Sequence, residues 1–461
     1  MAESPRARYG GTFVEDLDAL ISNERIDTVL LAVPDVFGRL KGKLFDATDF
    51  AAHEFTGTAE ACAYLLSTDL DMAPGHDVAF ASWSTGYGDM VLRADREAVT
   101  ALSWMPHTAL VFADPVRADG SLLEVAPRQI LREQLALLAA EHGLIPSVGL
   151  EIEFTCYRGT YEQNAEHGFG HLVPAARHNL DYSLDHPPEI SAFVRRLRRH
   201  LGDTGLPWES LKTEAALGQV EVALRHGDAV AACDALLLLK HAVRTLGPQL
   251  GLSPTFMAAP QTGVGSGLHL HLSLTRHGQP DHPVLADTDG ELSDQALQAI
   301  TGLLEILPET GPLWAPTPNS YKRLVPDSFA PTAASWGMDN RTCAIRIAGH
   351  GPNRHLEIRT AGADANPYLA LAAVLAGIRY GLMGPAKPPP PVQGNAYTDA
   401  ALAPLPGSLA EALARMRQET TPRDLLGRHV IGHLVQVAQT ELDALTGQVS
   451  DVERLRYFDR I

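Results

Sequence analysis

The sequence predicts an α+β protein: a small β-rich N-terminal domain over residues 1–114 and a larger α+β domain over residues 115–461. Three observations predict it. A chain of 461 residues is too long for one ordinary core, so two domains are expected. Up to Asp114 the texture is short apolar runs and turns, whereas beyond Val125 long amphipathic patterns alternate with strands. The later strands alternate apolar and polar residues at period two, the pattern of a mainly antiparallel sheet with one face buried.

Taken in order, Val14 to Asn23 reads as a short helix, and "TVLLAVPDVFGRLKGKLF" reads as a hairpin turning at Pro34-Asp35. "DMVLRAD" and "HTALVFAD" continue the short strands. Ala126 to Glu141, Ala192 to Leu201 and Asp228 to Leu246 carry the 3.6-residue period of amphipathic helices. Between and after them lie the strands "SVGLEIEFTCY", "GQVEVALR", "GLHLHLSL", "TCAIRIAG" and "HLEIRT". A Pro-rich linker, "GPAKPPPPVQG" (384–394), separates this body from a mostly helical C-terminal tail. There is no internal repeat.

Composition narrows the function. The chain is 45% hydrophobic and 20% charged, as in a globular protein, and 37 basic against 55 acidic residues leave a net charge of −18. That balance argues against nucleic acid or an anionic membrane as the main partner. The most apolar long segment, Pro367 to Met383, is interrupted by Arg379 and is too short to span a bilayer. "MAESPRARYGGTFVEDLD" has no apolar run of the signal-peptide kind. Cys62, Cys156, Cys233 and Cys343 lack metal-type spacing and read as reduced core residues of a cytoplasmic protein.

The chemistry sits on the polar faces of the strands. "GSGLHLHLSL" (265–274) places His269, His271 and Ser273 on one face and leucines on the other. "GLEIEF" does the same with Glu151 and Glu153 and "RHLEIRT" with Glu357 and Arg359; in "EAALGQVEV" Glu214 precedes a Gly-Gln turn, after which Gln219 and Glu221 share one face. Any one of these strands is explained by a solvated face. Together they offer carboxylates, an imidazole and arginines at the ends of apolar strands, a set that suits hard divalent ions, Mg²⁺ or Mn²⁺. Two such ions beside guanidiniums meet the needs of phosphoryl transfer, where charge on the moving phosphoryl must be spread. The glycines around Ser266 let backbone approach a ligand closely.

These residues resemble the glutamine synthetase family, and the resemblance runs from about residue 25 nearly to the C-terminus. Its most specific carriers are "GSGLHLHLSL", "NSYKRLVP" (319–326), "DNRTCAIRI" (339–347) and "RHLEIRTAGADANPYLA" (354–370), in the family's order and spacing. The resemblance implies an N-terminal β-grasp domain and a catalytic domain whose curved, mainly antiparallel sheet is flanked by helices. It further implies a homo-oligomer, a dodecamer of two rings with each active site between neighbouring subunits. One metal ion is implied at Glu153, Glu214 and Glu221, the other at Glu151, His269 and Glu357. His271 and Ser273 are implied along the nucleotide, Arg341 and Arg346 at the ATP phosphates, and Gly265, Arg323 and Arg359 at glutamate. ATP is then a co-substrate: the glutamate γ-carboxylate attacks its γ-phosphate, and an amine displaces phosphate from γ-glutamyl phosphate.

Departures from the family pattern bear on the amine. The Asp-Gly-Ser stretch of ammonia-using members is missing from "EFTGTAEACAYLLSTDLDM" (54–72), and their flap "PGYEAP" reads "PDSFAP" (326–331), with Phe329 in place of the Glu. Val264, Ala259 and His355 stand where the family usually has Asn, Lys and Arg. The metal and glutamate residues are retained while the ammonium carboxylates are not. An aromatic in place of a carboxylate favours a carbon-bearing amine. The expected acceptor is ethanolamine or another short amine, with a polyamine close behind, and Glu60 is the candidate base reaching a neighbour's site. The alternatives are an ammonia-dependent glutamine synthetase with an unusual flap and a catalytically silent relative. Tyr397 lies near where some bacterial members are adenylylated but lacks the surrounding "LYDLPP", so it is expected to be an ordinary surface tyrosine.

Overall fold

The computed structural model describes residues 8–9, 12–13, 16–53, 59–75, 78–287, 289–384 and 387–460. A minimal ribbon pairs β1 (Arg8–Tyr9) with β2 (Thr12–Phe13). The first sheet follows from two strands that are apolar on both faces. In β3 (Thr28–Pro34), Val29, Leu31 and Val33 point one way and Ala32 the other; in β7 (Thr108–Val116), every residue is buried. Such continuous burial marks a strand covered on both sides. β3 and β7 run parallel at the sheet centre. The hairpin partner β4 (Leu40–Asp46) flanks them on one side, with β6 (Asp89–Ala101) and then β5 (Glu60–Cys62) on the other.

One face of this sheet packs on the helices Leu17–Ser22 and Ala47–His53 through Leu17, Leu20 and Phe50. The other, through Ala32, Leu110 and Phe112, joins the main core of the molecule. A short mixed sheet crossed by helices on one side has the character of a β-grasp. The first helix starts at Leu17, where the Asp16 carboxylate accepts from the Asp18 and Ala19 amides; Val14, in the expected helix, lies outside the described residues.

The second sheet is almost entirely antiparallel. Its centre is the long strand β8 (Leu144–Arg158). On one side β10 (Gln219–Gly227) and then β9 (Trp208–Thr213) pair with it. On the other side come β12 (Leu268–Arg276), β16 (His355–Ile358), β15 (Ile345–Ala348) and β14 (Trp336–Met338). β11 (Leu252–Thr255) and β13 (Gln279–Pro283) add short pairings to β8 and β12. Leu150, Ile152, Phe154, Leu268, Leu270 and Leu272 all turn to one face and are buried. Helices Pro127–His142, Pro188–Thr204 and Ala229–Leu246 share that core. The second of these is longer than the Ala192 to Leu201 pattern.

Pro367–Met383 is indeed no membrane span. It forms the helix Pro367–Leu382, capped by Asn366 and buried nearly all round, with Arg379 paired to Glu141. No helix among the described residues is long and apolar enough to cross a membrane. This helix crosses Asp294–Glu309 so closely that a Cβ on Gly302 would collide with the Gly377 carbonyl and the Gly381 amide. Of the stretch 384–394, the part from residue 387 onward differs from a detached linker: Trp336 Nε1 donates to the Pro389 carbonyl at 2.7 Å, and the Val392 amide returns to Trp336 O at 2.9 Å. The helices Leu409–Gln418 and Arg428–Thr446 bury Leu409, Leu413, Met416, Leu434 and Val437 in the main core. The tail is thus part of the body, because its apolar stripes find no other cover. Cys156, Cys233 and Cys343 are buried free thiols, while Cys62 is half-buried.

Candidate functional site

The register of the second sheet decides which polar side chains meet. Glu151 of β8 lies opposite His269 of β12, and Glu153 lies opposite Glu221 of β10. His271 of β12 faces Glu357 of β16, which faces Arg346 of β15. Directly opposed side chains are neighbours on one face, so alternation in four separate strands builds a single acidic wall over a leucine floor.

Glu153, Glu214 and Glu221 each present an oxygen within 4.8 Å of the others. Glu151 forms such a group with Glu221 and His269, and another with His271 and Glu357. His269 Nδ1 lies 3.4 Å from Glu151 and 3.6 Å from Glu357. Burial, then the charges of Glu151 and Glu214, push Glu221 up to about 9 against the pull of Lys212. Burial and Glu153 raise Glu214 as well. Carboxylates gathered against their own repulsion, with imidazole added, are a donor set that fits hard divalent ions. Glu357 differs. Burial opposes its charge, but His269, Arg359, His271 and Arg346 outweigh that and bring it down to about 2.

The remaining candidates surround this wall. Arg323 is buried and donates to the Thr360 and Arg359 carbonyls at 3.0 and 3.2 Å. It passes over Gly265 and Gly267, where a Cβ would meet its side chain at 3.0 and 2.7 Å. Arg359 pairs with Glu357 and donates to the Phe329 carbonyl at 3.2 Å. The flap backbone is therefore pinned, with Phe329 at φ 58° and the residue 63% exposed. Tyr397 is half-buried rather than a surface residue, and its hydroxyl donates to the Ala330 carbonyl at 3.0 Å beside that flap.

A cleft of about 690 Å³ opens beside the wall, lined by Glu151, His271, Ser273, Arg354 and His355 among others. Arg346 bridges Asp339 and Glu357, while Arg341 is exposed in the loop before β15. Glu60 stands exposed on β5, in the other sheet.

Lys212 and Arg354 were not singled out from sequence, and neither was the pairing of His271 with His355. Lys212 of β9 contacts Glu214 and lies 3.4 Å from Glu221, with the Tyr182 ring centroid 4.7 Å from its ammonium. "LKTE" places Lys212 and Glu214 two apart, the signal for a shared face. His271 Nδ1 meets His355 Nε2 at 3.0 Å, and His355 Nδ1 donates to Asn353 O at 3.0 Å. Burial lowers His355, so the neutral ring accepts from His271. Arg354 turns two buried nitrogens without hydrogen-bond partners toward the cleft.

The glutamine synthetase catalytic domain family matches residues 124–457. A γ-glutamylethanolamide synthetase of Streptomyces coelicolor is 41% identical over 448 residues, 97% of this chain and 96% of the relative. A γ-glutamylputrescine synthetase of Escherichia coli is 34% identical over 363 residues, 74% of each chain. The solved GmaS/ADP complex shares the fold, with a TM-score of 0.82 at 24% identity over 97% of this chain and 100% of that one. With the family's catalytic domain matched across every strand of the acidic wall, the chain belongs to the glutamine synthetase family.

Proposed function

We propose that this enzyme joins the γ-carboxylate of glutamate to an organic amine at the expense of ATP, with ethanolamine or another short amine ahead of a polyamine. The observation that carries this reading is the pairing of an intact acidic wall with a flap whose projecting residue is Phe329, not a carboxylate. The names of the relatives, which act on ethanolamine and putrescine, support the same class of acceptor.

In this reading Glu153, Glu214 and Glu221 hold one divalent ion, and Glu151, His269 and Glu357 hold the other. When bound, such ions neutralise phosphate charge and orient the γ-phosphate for in-line attack. Gly265, Arg323 and Arg359 hold glutamate. His271 and Ser273 line the nucleotide, with Arg341 and Arg346 at its phosphates and Arg341 stabilising the charge that moves. A glutamate γ-oxygen forms a bond to the γ-phosphorus as the bond to ADP breaks. The amine nitrogen then attacks the acyl carbon, loses a proton and expels phosphate.

The base is assigned to Glu60 of a neighbouring subunit, in a homo-oligomer of the dodecameric type. Residues 1–114 form the domain that carries it, and the catalytic domain begins at residue 115. Turnover measured as ADP formation with glutamate and a panel of amines tests the reading. Rates should be highest with a short alkylamine; turnover with ammonium alone, or with no amine at all, would overturn it.

A further inference from the structure

Arg323, which the proposed function sets at glutamate, is held at both ends by one short segment, residues 359–364. Its guanidinium donates to the Thr360 and Arg359 carbonyls at 3.0 and 3.2 Å. Its own amide donates to the Ser320 carbonyl at 3.3 Å, across the short turn Ser320–Lys322. The Ser320 hydroxyl donates to Asp364 Oδ2 at 2.6 Å, and the Thr317 hydroxyl donates to the same oxygen at 3.1 Å. Each hydroxyl also accepts from the other residue's amide, at 3.0 and 3.2 Å, which leaves its proton for the carboxylate. Asp364 thus closes a ring that runs from its carboxylate to Ser320, on to Arg323, and back to the carbonyls of 359 and 360. The segment is itself tied to the body. Buried Lys240 of the helix Ala229–Leu246 donates to the Ala363 carbonyl at 2.6 Å, and the Ala363 amide donates to the Ser266 carbonyl at 2.9 Å.

We infer that Asp364 is a positioning residue for glutamate: through Ser320 and Thr317 it fixes the turn from which Arg323 reaches its ligand. A carboxylate drawn out of water is a costly group to place for packing alone. Asp364 bonds through Oδ2, while Oδ1 is buried with no hydrogen-bond partner. Ser320 and Thr317 are buried too, so without the carboxylate their hydroxyl protons have no water to turn to. The turn is then free to shift against residues 359–364. An arginine recognises a carboxylate through the fixed fork of its guanidinium, so a shift at its base spoils the fit. The nucleotide, lying along His271 and Ser273, is not gripped by this turn. The inference rests on the proposed assignment of Arg323 to glutamate.

The test is steady-state kinetics of the full-length protein, following ADP formation with glutamate, ATP and the amine that gives the highest turnover. Wild type is compared with Asp364→Ala, Asp364→Asn, Ser320→Ala and Arg323→Lys. Asp364→Ala should raise the KM for glutamate by roughly tenfold, the scale of one lost charge-assisted hydrogen bond, with kcat and the KM for ATP unchanged. Asp364→Asn keeps an acceptor oxygen for both hydroxyls and should recover most of that loss. Ser320→Ala removes one of the two donors, should raise the same KM by a smaller factor, and carries the test should Asp364→Ala not fold. Adding Ser320→Ala to Asp364→Ala should raise the glutamate KM no further, because the two act in one network. A glutamate KM unchanged in Asp364→Ala and Ser320→Ala, or a rise matched by the KM for ATP, would overturn the positioning role. A glutamate KM unchanged in Arg323→Lys would overturn the glutamate assignment itself.

Discussion

At the scale of single residues, the site depends on charge balance that one substitution can undo. Removing a ligand leaves a divalent ion short of an oxygen and the phosphates without their clamp. Glu153→Ala and Glu357→Ala should each abolish turnover, and a Mn²⁺ titration of each should lose one site; unchanged isotherms in both would contradict the ligand assignment. In the proposed reading Phe329 carries the choice of acceptor. Its ring is free to cover a carbon chain because Arg359 holds the flap through the backbone alone. Burial and cation–π attraction contribute ~1–2 kcal/mol to such a contact. Phe329→Glu should therefore lower kcat/KM for the organic amine by about ten- to thirtyfold, each ~1.4 kcal/mol being tenfold. It should not restore good ammonia use, because the Asp-Gly-Ser element remains absent from residues 54–72. Steady-state kinetics with both acceptors checks this, and an unchanged kcat/KM for the amine would remove Phe329 from the acceptor site.

At the scale of elements, Arg128 ties the first sheet to the helices of the main core. It is buried at the start of the helix Pro127–His142 and donates to Asp114 of β7 at 2.8 Å and to Asp234 of the helix Ala229–Leu246 at 2.7 Å. Asp95 of β6 completes its ring of acceptors at 3.1 Å. Deleting one partner of a buried ionic network leaves uncompensated charge, which costs ~3–5 kcal/mol. Arg128→Met should lower the unfolding free energy by about that amount in urea titrations; loss of less than ~1 kcal/mol would show the network to be solvated. None of this was visible in sequence, since Arg128 lies 14 residues from Asp114 and 106 from Asp234 and the three share no periodic pattern. The acidic wall was legible for the opposite reason: period two fixes a face, so Glu151, Glu153, His269, His271 and Glu357 declare themselves within their own strands. Lys212 carried the same local signal, but a lone lysine two residues from a glutamate is an ordinary solvated pair until the register with Glu221 is known. The C-terminal helices were read as a separate tail because a Pro-rich stretch looks alike whether it spans solvent or packs along Trp336. Tyr397 was read as a surface residue because its contact with the Ala330 carbonyl of the flap joins positions 67 residues apart, which no local pattern reveals.

At the scale of the whole molecule, Glu60 stands on the N-terminal sheet while the acidic wall belongs to the other sheet. If Glu60 serves the site of a neighbour, activity requires assembly. Light scattering should give a ring many times the 49.6 kDa chain mass, with activity falling as the particle is diluted to subunits. A fully active particle of one chain mass would rule out a shared site. The account as a whole turns on which nitrogen the acyl phosphate meets. The most direct measurement supplies glutamate, ATP, and equal concentrations of ammonium and ethanolamine in one reaction, and identifies the products by mass spectrometry. The account predicts γ-glutamylethanolamide as the dominant product; glutamine as the dominant product would contradict it.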